Sequence, residues 1–229
     1  MKHRQLKKQL MQCLKKDTWQ QEFQDLLTIP AAQLINPLIS LLYHPTPIVK
    51  WRSVTLIGAL FEKYPSKESV RVIMRRFMWY LNEESGGVGW GIPEVFGEVL
   101  ARNKWLVQEY GSILMHYIIP GQTFLDMEAL QTGSIWGIGR ASQGFPQHFH
   151  EAKQYLAPYL TTNDSTQRAY ALWALGQLGA SLPHKMIISL RNDSGTFDLY
   201  DQCTLNQMSI EALTKALELG KMGHVQVHA

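Results

Sequence analysis

The chain has 229 residues, enough for one domain or one short repeat array with a sizeable core. Hydrophobic residues make up 45% and charged residues 18%, which excludes a disordered, acid- or base-rich chain. A net charge of +3 is too small to argue for a polyanion as partner, and no stretch approaches the run of about 18 apolar residues that a membrane span needs.

The start, MKHRQLKKQLMQCLKK, is basic, but no uninterrupted apolar run follows it, so no signal peptide is expected. Its cations Lys2, His3, Arg4, Lys7, Lys8, Lys15 and Lys16 read as a solvated helix face. Residues 1–28 are expected to form one or two amphipathic capping helices, 29–220 a repeat domain and 221–229 a frayed tail.

Four segments then share a helical pattern that ends in a glycine among apolar residues: VKWRSVTLIGAL (49–60), GWGIPEVFGEVL (89–100), LQTGSIWGIGRA (130–141) and QRAYALWALGQL (167–178). Their glycines, Gly58, Gly97, Gly139 and Gly176, are 39, 42 and 37 residues apart, close to the period of roughly 40–47 residues of HEAT and armadillo units. A helix is predicted before each, over 30–43, 66–81, 104–119 and 149–160. In the second of these, Val70, Ile73, Met74, Phe77 and Leu81 recur at three- and four-residue spacing.

Pro45 and Pro47 separate the first pair, Pro65-Ser66 opens the second, and Asn163-Asp164-Ser165 is a cap for the fourth inner helix. A fifth, degenerate pair is predicted at 183–191 and 203–219, joined by a polar loop, NDSGTFDLYDQ. No useful length shows the period-two alternation of a strand. The predicted fold is all-α, a HEAT-like right-handed superhelix (solenoid) of about five helix pairs.

The stretch EESGGVGWGIPEVFGEVLARN (83–103) resembles a phosphate loop only in its glycines. It lacks the GK[ST] ending, follows a predicted helix rather than a strand, and carries Glu83 and Glu84, which repel phosphate. It reads as the turn between outer and inner helix, with Gly86, Gly87 and Gly89 free to take positive φ and Pro93 in the first helical turn.

In paired-helix solenoids the second helix of each pair lines the concave face. Taking the glycines as register, the positions seven before, three before and one after share one side of each inner helix. They are Trp51, Thr55 and Ala59; Trp90, Glu94 and Glu98; Thr132, Trp136 and Arg140; Ala169, Trp173 and Gln177. Four of the chain's seven tryptophans fall here, either packed between repeats or lining a recognition groove. Glu83, Glu84, Trp90, Glu94, Trp136 and Arg140 are the candidate ligand-binding set, with Trp90 facing Trp136 and Glu94 approaching Arg140.

Other chemistry is thinly represented. His148, His150 and Glu151 lack a third or fourth ligand at metal spacing, so no metal and no cofactor is expected. The chain resembles the deoxyhypusine hydroxylases in fold alone, with the single His-Glu pair His150-Glu151. The comparison with HEAT-like DNA glycosylases fails on charge: Arg71, Arg75 and Arg76 fall on an outer helix, and the inner stripe sets Arg140 against two glutamates. There is no GxSxG, no HExxH and no cysteine with a placed histidine, and catalytic residues are expected to be none. Cys13 and Cys203 read as reduced thiols of a cytoplasmic protein.

EESGGVGWGIPEVFGEVLA, FLDMEALQTGSIWGIGRASQ and RAYALWALGQLGA resemble an uncharacterised family of HEAT-repeat proteins of sulfate-reducing bacteria, similar to phycobilisome-lyase-type HEAT-like repeats. The resemblance covers about residues 30–220 and implies the fold without a reaction. The function expected is a non-catalytic binding or scaffold module whose concave face takes a protein segment or a small ligand, without nucleic acid or membrane. Two alternatives stay open: a bilin-lyase-like enzyme acting on a tetrapyrrole or other cofactor, and a nucleic-acid binder.

Overall fold

The computed structural model describes residues 3–64, 66–82 and 89–220. Glu83 and Glu84, with the glycines at 86 and 87, lie outside the described residues, as does the segment 221–229 expected to be a tail.

Helices follow one another in pairs. After α1 (His3–Leu14) and α2 (Trp19–Leu26) come α3 (Ala31–Leu41) with α4 (Pro47–Phe61), α5 (Lys67–Asn82) with α6 (Ile92–Arg102), and α7 (Lys104–His116) with α8 (Glu128–Gly144). The next pair is α9 (Ala152–Leu156), continued by a 3-10 turn at Ala157–Thr161, with α10 (Ser165–Gln177). The last is α11 (His184–Arg191) with α12 (Ile210–Glu218). Between those two lies a β-hairpin, β1 (Thr196–Asp201) and β2 (Thr204–Ser209).

The second helices form one row: α4 packs on α6, α6 on α8, and α8 on α10. This is the HEAT-like all-α solenoid expected from the repeat spacing. Inner helices are flanked on several sides, so they are buried almost all round; every residue of α4 from Trp51 to Phe61 and of α6 from Ile92 to Leu100 is buried. An outer helix buries one stripe. In α5 it is Val70, Ile73, Met74, Phe77 and Leu81, the set given by its periodicity. Its opposite face carries surface ion pairs, Arg71 with Glu109 and Arg75 with Glu68 at 2.7 Å.

The register glycines serve the row. A Cβ on Gly58 would lie 2.5 Å from the Glu98 side chain, and one on Gly139 would lie 2.5 Å from the Trp173 ring. At Gly97 it would overlap the Gly137 backbone, so α6 and α8 meet main chain to main chain. Each of these three glycines makes room for the next inner helix.

The local punctuation follows ordinary capping chemistry. Asp164 Oδ1 accepts from the Thr166 and Gln167 amides at 2.6 and 3.0 Å and caps α10. Pro93 sits in the first turn of α6. Among the described residues of that turn, the glycine at positive φ is Gly91 (+79°) and not Gly89. At the other end, Arg52 of α4 donates through Nη1 to the Leu14 and Lys16 carbonyls, both at 2.8 Å, and ties α1 to the repeats.

One segment overturns its expectation. The polar loop and long helix predicted over 192–219 are a hairpin, with α12 starting only at Ile210, where the Ser209 hydroxyl accepts from the Ala212 amide at 3.1 Å. β1 alternates exposed Thr196 and Asp198 with buried Phe197 and Leu199, and the pattern breaks at Tyr200, which is buried as well. Its turn, Gln202-Cys203, lacks the Asn-Gly signature of a two-residue hairpin. Among the described residues no helix is long and apolar enough to cross a membrane.

If the α6–α8 contact sets the row spacing, Gly97→Ala should lower unfolding free energy by about 3 kcal/mol, because the neighbour is backbone that cannot rotate aside. Urea denaturation followed by circular dichroism measures this. An unchanged midpoint would contradict the close approach.

Candidate functional site: the concave face and its hairpin

The concave face is built from the inner stripe. Trp136 of α8 lies with its ring centroid 4.6 Å from that of Trp51 of α4 and 6.1 Å from that of Trp173 of α10. The tryptophans thus meet across the row and form a floor. The hairpin covers it: the Tyr200 ring stacks on Trp51 at 5.1 Å with 12° between planes, and Trp136 Nε1 donates to the Tyr200 carbonyl at 3.1 Å. The Tyr200 and Thr55 hydroxyls, both buried, share a hydrogen bond of 2.7 Å. Burial pushes the Tyr200 phenol well above the usual tyrosine range, which keeps it neutral. Trp136 is 1% exposed because the hairpin seals it.

Beside the aromatic floor runs an ionic wall. Glu98 of α6, 3% exposed, receives Arg102 Nε on one oxygen and Arg140 Nε on the other, each at 2.6 Å. Arg140 continues through Nη1 to Gln143 Oε1 at 2.9 Å, and Gln143 Nε2 donates to Asp201 Oδ1 of the hairpin at 3.2 Å. Arg102 Nη1 also lies 3.5 Å from Glu62. Burial pulls the Arg102 guanidinium down, but the Glu98 and Glu62 carboxylates outweigh it, and its pKa ends above the ordinary value.

Between floor, wall and hairpin tip lies a cavity of about 360 Å³. Thr55, Glu98, Trp136, Arg140 and Gln177 line it from the inner stripe, with Arg102, Gln143 and the hairpin residues Tyr200, Asp201, Gln202 and Cys203. Among the described residues, no group of three or more His, Cys, Asp and Glu side chains is placed to hold a metal ion.

No protein family model matches the chain, and no curated protein matches its sequence. Solved structures do match. One comes from computationally designed armadillo repeat proteins for modular peptide recognition, at 14% identity and TM-score 0.47, covering 94% of this chain and 98% of that one. Another is an engineered protein, at 14% identity and TM-score 0.47, covering 98% and 99%. A third is a designed armadillo repeat protein, at 15% identity and TM-score 0.46, covering 93% and 98%.

Of the candidate set, the structure brings Trp136 and Arg140 to this cavity. Glu94 is buried on Gly133 of α8 but pairs with Lys50 of α4 at 2.6 Å, not with Arg140. The reason is register: Arg140 stands one residue after its glycine, and the carboxylate at the equivalent place on α6 is Glu98. Trp90 is half-buried against the core at the start of α6, and the indole partners of Trp136 are Trp51 and Trp173. Sequence reasoning missed Arg102, Gln143, Tyr200 and Asp201. Extending the stripe one turn past Glu98 reaches Arg102; nothing in the local pattern points to the hairpin pair.

Removing the charge of Glu98 strands two partly buried guanidiniums. Glu98→Gln should therefore destabilise the fold by roughly 3 kcal/mol or more, while Glu68→Gln, on an exposed pair, should leave the midpoint unchanged. Paired thermal and urea melts distinguish the two. Equal effects would mean that the wall is not an energetic unit.

Proposed function

We propose that the protein is a non-catalytic binding module that recognises a protein segment, or a small ligand of similar chemistry, on its concave face. One observation carries this reading. Five stripe positions from four inner helices converge on a single cavity with an aromatic floor and an ionic wall. Chemistry that orients a ligand is present there, whereas both oxygens of its most buried carboxylate are already engaged by guanidinium N–H groups and present nothing for proton transfer. The formal charges of the cavity lining, Glu98 and Asp201 against Arg102 and Arg140, cancel, which disfavours a polyanion.

In this reading residues 1–28 cap the repeat domain at 29–220, and the resemblance to HEAT-repeat proteins of sulfate-reducing bacteria is one of scaffold. The unpaired thiols of Cys13 and Cys203 suit a reducing, cytoplasmic setting.

A random-peptide display selection against the full chain tests the proposal. Selected peptides should lose at least about tenfold in affinity on Arg140→Ala, because a charge-assisted contact to a buried wall is worth about that factor or more. Selection of nothing, or of peptides indifferent to Arg140→Ala and Arg102→Ala, would move recognition off the concave face.

A further inference from the structure

The hairpin that closes the concave face also displays what that face can hold. β1 crosses the row in extended conformation, and its backbone groups on the side away from β2 meet side chains of the inner helices. The Thr196 carbonyl accepts from Ser165 Oγ at 3.3 Å, the Asp198 carbonyl from Tyr170 Oη at 2.8 Å, and the Tyr200 carbonyl from Trp136 Nε1 at 3.1 Å. Donors from two helices thus meet alternate carbonyls of one strand, so the groove engages an extended main chain largely independently of its side chains. One side chain is also recognised, since Tyr200 lies flat on Trp51 with its hydroxyl on Thr55.

Two features distinguish the tip of this occupant from its root. Gln202 and Cys203 at the turn both adopt left-handed φ, +47° and +66°, so the hairpin is strained where it reaches the floor. The tip also leaves space: the cavity continues past Tyr200 along Arg140, Arg102 and Gln177. The root, by contrast, is held. Arg168 grips Asp193 at 2.7 and 3.1 Å, and Asp193 accepts from the Gly195 amide at 2.8 Å. The root is therefore fixed by contacts separate from those at the tip.

Resting on the concave-face reading above, we propose that the Trp51–Trp136 floor is the docking site for an extended segment of a partner protein that carries a tyrosine followed by an acidic residue, and that β1 is a tethered occupant which this segment displaces. The partner's tyrosine takes the place of Tyr200 on Trp51, its carbonyl takes the Trp136 N–H, and its acidic residue takes the Gln143 amide now held by Asp201. Beyond it the segment runs into the cavity beside Arg140.

A tethered strand competes at an effective concentration on the order of millimolar, so a free peptide binds the wild-type chain, but more weakly than a chain whose tethered copy is weakened. The probe is a fluorescent peptide of sequence SGTFDLYDQ, residues 194–202, titrated by anisotropy into the full chain. It should bind Tyr200→Ala about tenfold or more tightly than the wild type. The same peptide with alanine for tyrosine should lose that gain, and so should the double variant Trp51→Ala, Tyr200→Ala. Equal affinity for wild type and Tyr200→Ala, or indifference to the peptide's tyrosine, overturns the proposal. Should Tyr200→Ala lose its helical circular dichroism, Tyr200→Phe replaces it, with a smaller gain in the same direction supporting the proposal and no gain overturning it. Display selection of concave-face peptides without tyrosine, together with no binding of the strand peptide, would sink this inference and leave the binding-module reading standing.

Discussion

The close approach of α6 and α8 at Gly97 and Gly137 is the constraint on which the rest of the concave face depends. Two helices without side chains at their crossing come nearer than the usual interaxial 8–10 Å permits for larger residues. That nearness lets the Arg140 guanidinium reach Glu98 at 2.6 Å. It also narrows the row enough for Trp51 and Trp136 to touch, although α6 lies between their helices. A Cβ at either glycine would push the backbones apart and carry both contacts with it.

A carboxylate buried to 3% exposure would be costly alone. Here two guanidiniums, each about a quarter exposed, offset that cost and keep their remaining edges toward the cavity. The arrangement adds less net stability than an apolar contact of the same size would. What it supplies is direction: fixed N–H donors beside an aromatic floor, in a surface that is otherwise a helical core turned inside out. The hairpin completes it by tying α10, α8 and α4 together through Ser165, Tyr170, Trp136 and Thr55. Contacts of that kind span non-adjacent repeats, which a solenoid of nearest-neighbour interfaces does not otherwise have.

The sequence by itself determined the pairs, the register and the stripe. Apolar spacing in α5 named its five buried residues, Asp164 declared the start of α10, and three of the four repeating glycines, Gly58, Gly97 and Gly139, marked where inner helices pass close to one another. These are local or repeated signals, written within one helix or copied along the chain. Tertiary structure decided the rest. Whether Arg140 meets Glu94 or Glu98 depends on how far two helices slide past each other, and the answer lies 42 residues away. Residues 192–202 read as a polar loop and 203–219 as a helix, yet Phe197, Leu199 and Tyr200 are all buried, because a groove made by other repeats stands on one side. Alternation that lasts only from Thr196 to Leu199 and breaks at Tyr200, buried under distant helices, is a weak strand signal, and so the tryptophans' cover stayed hidden until the chain was folded.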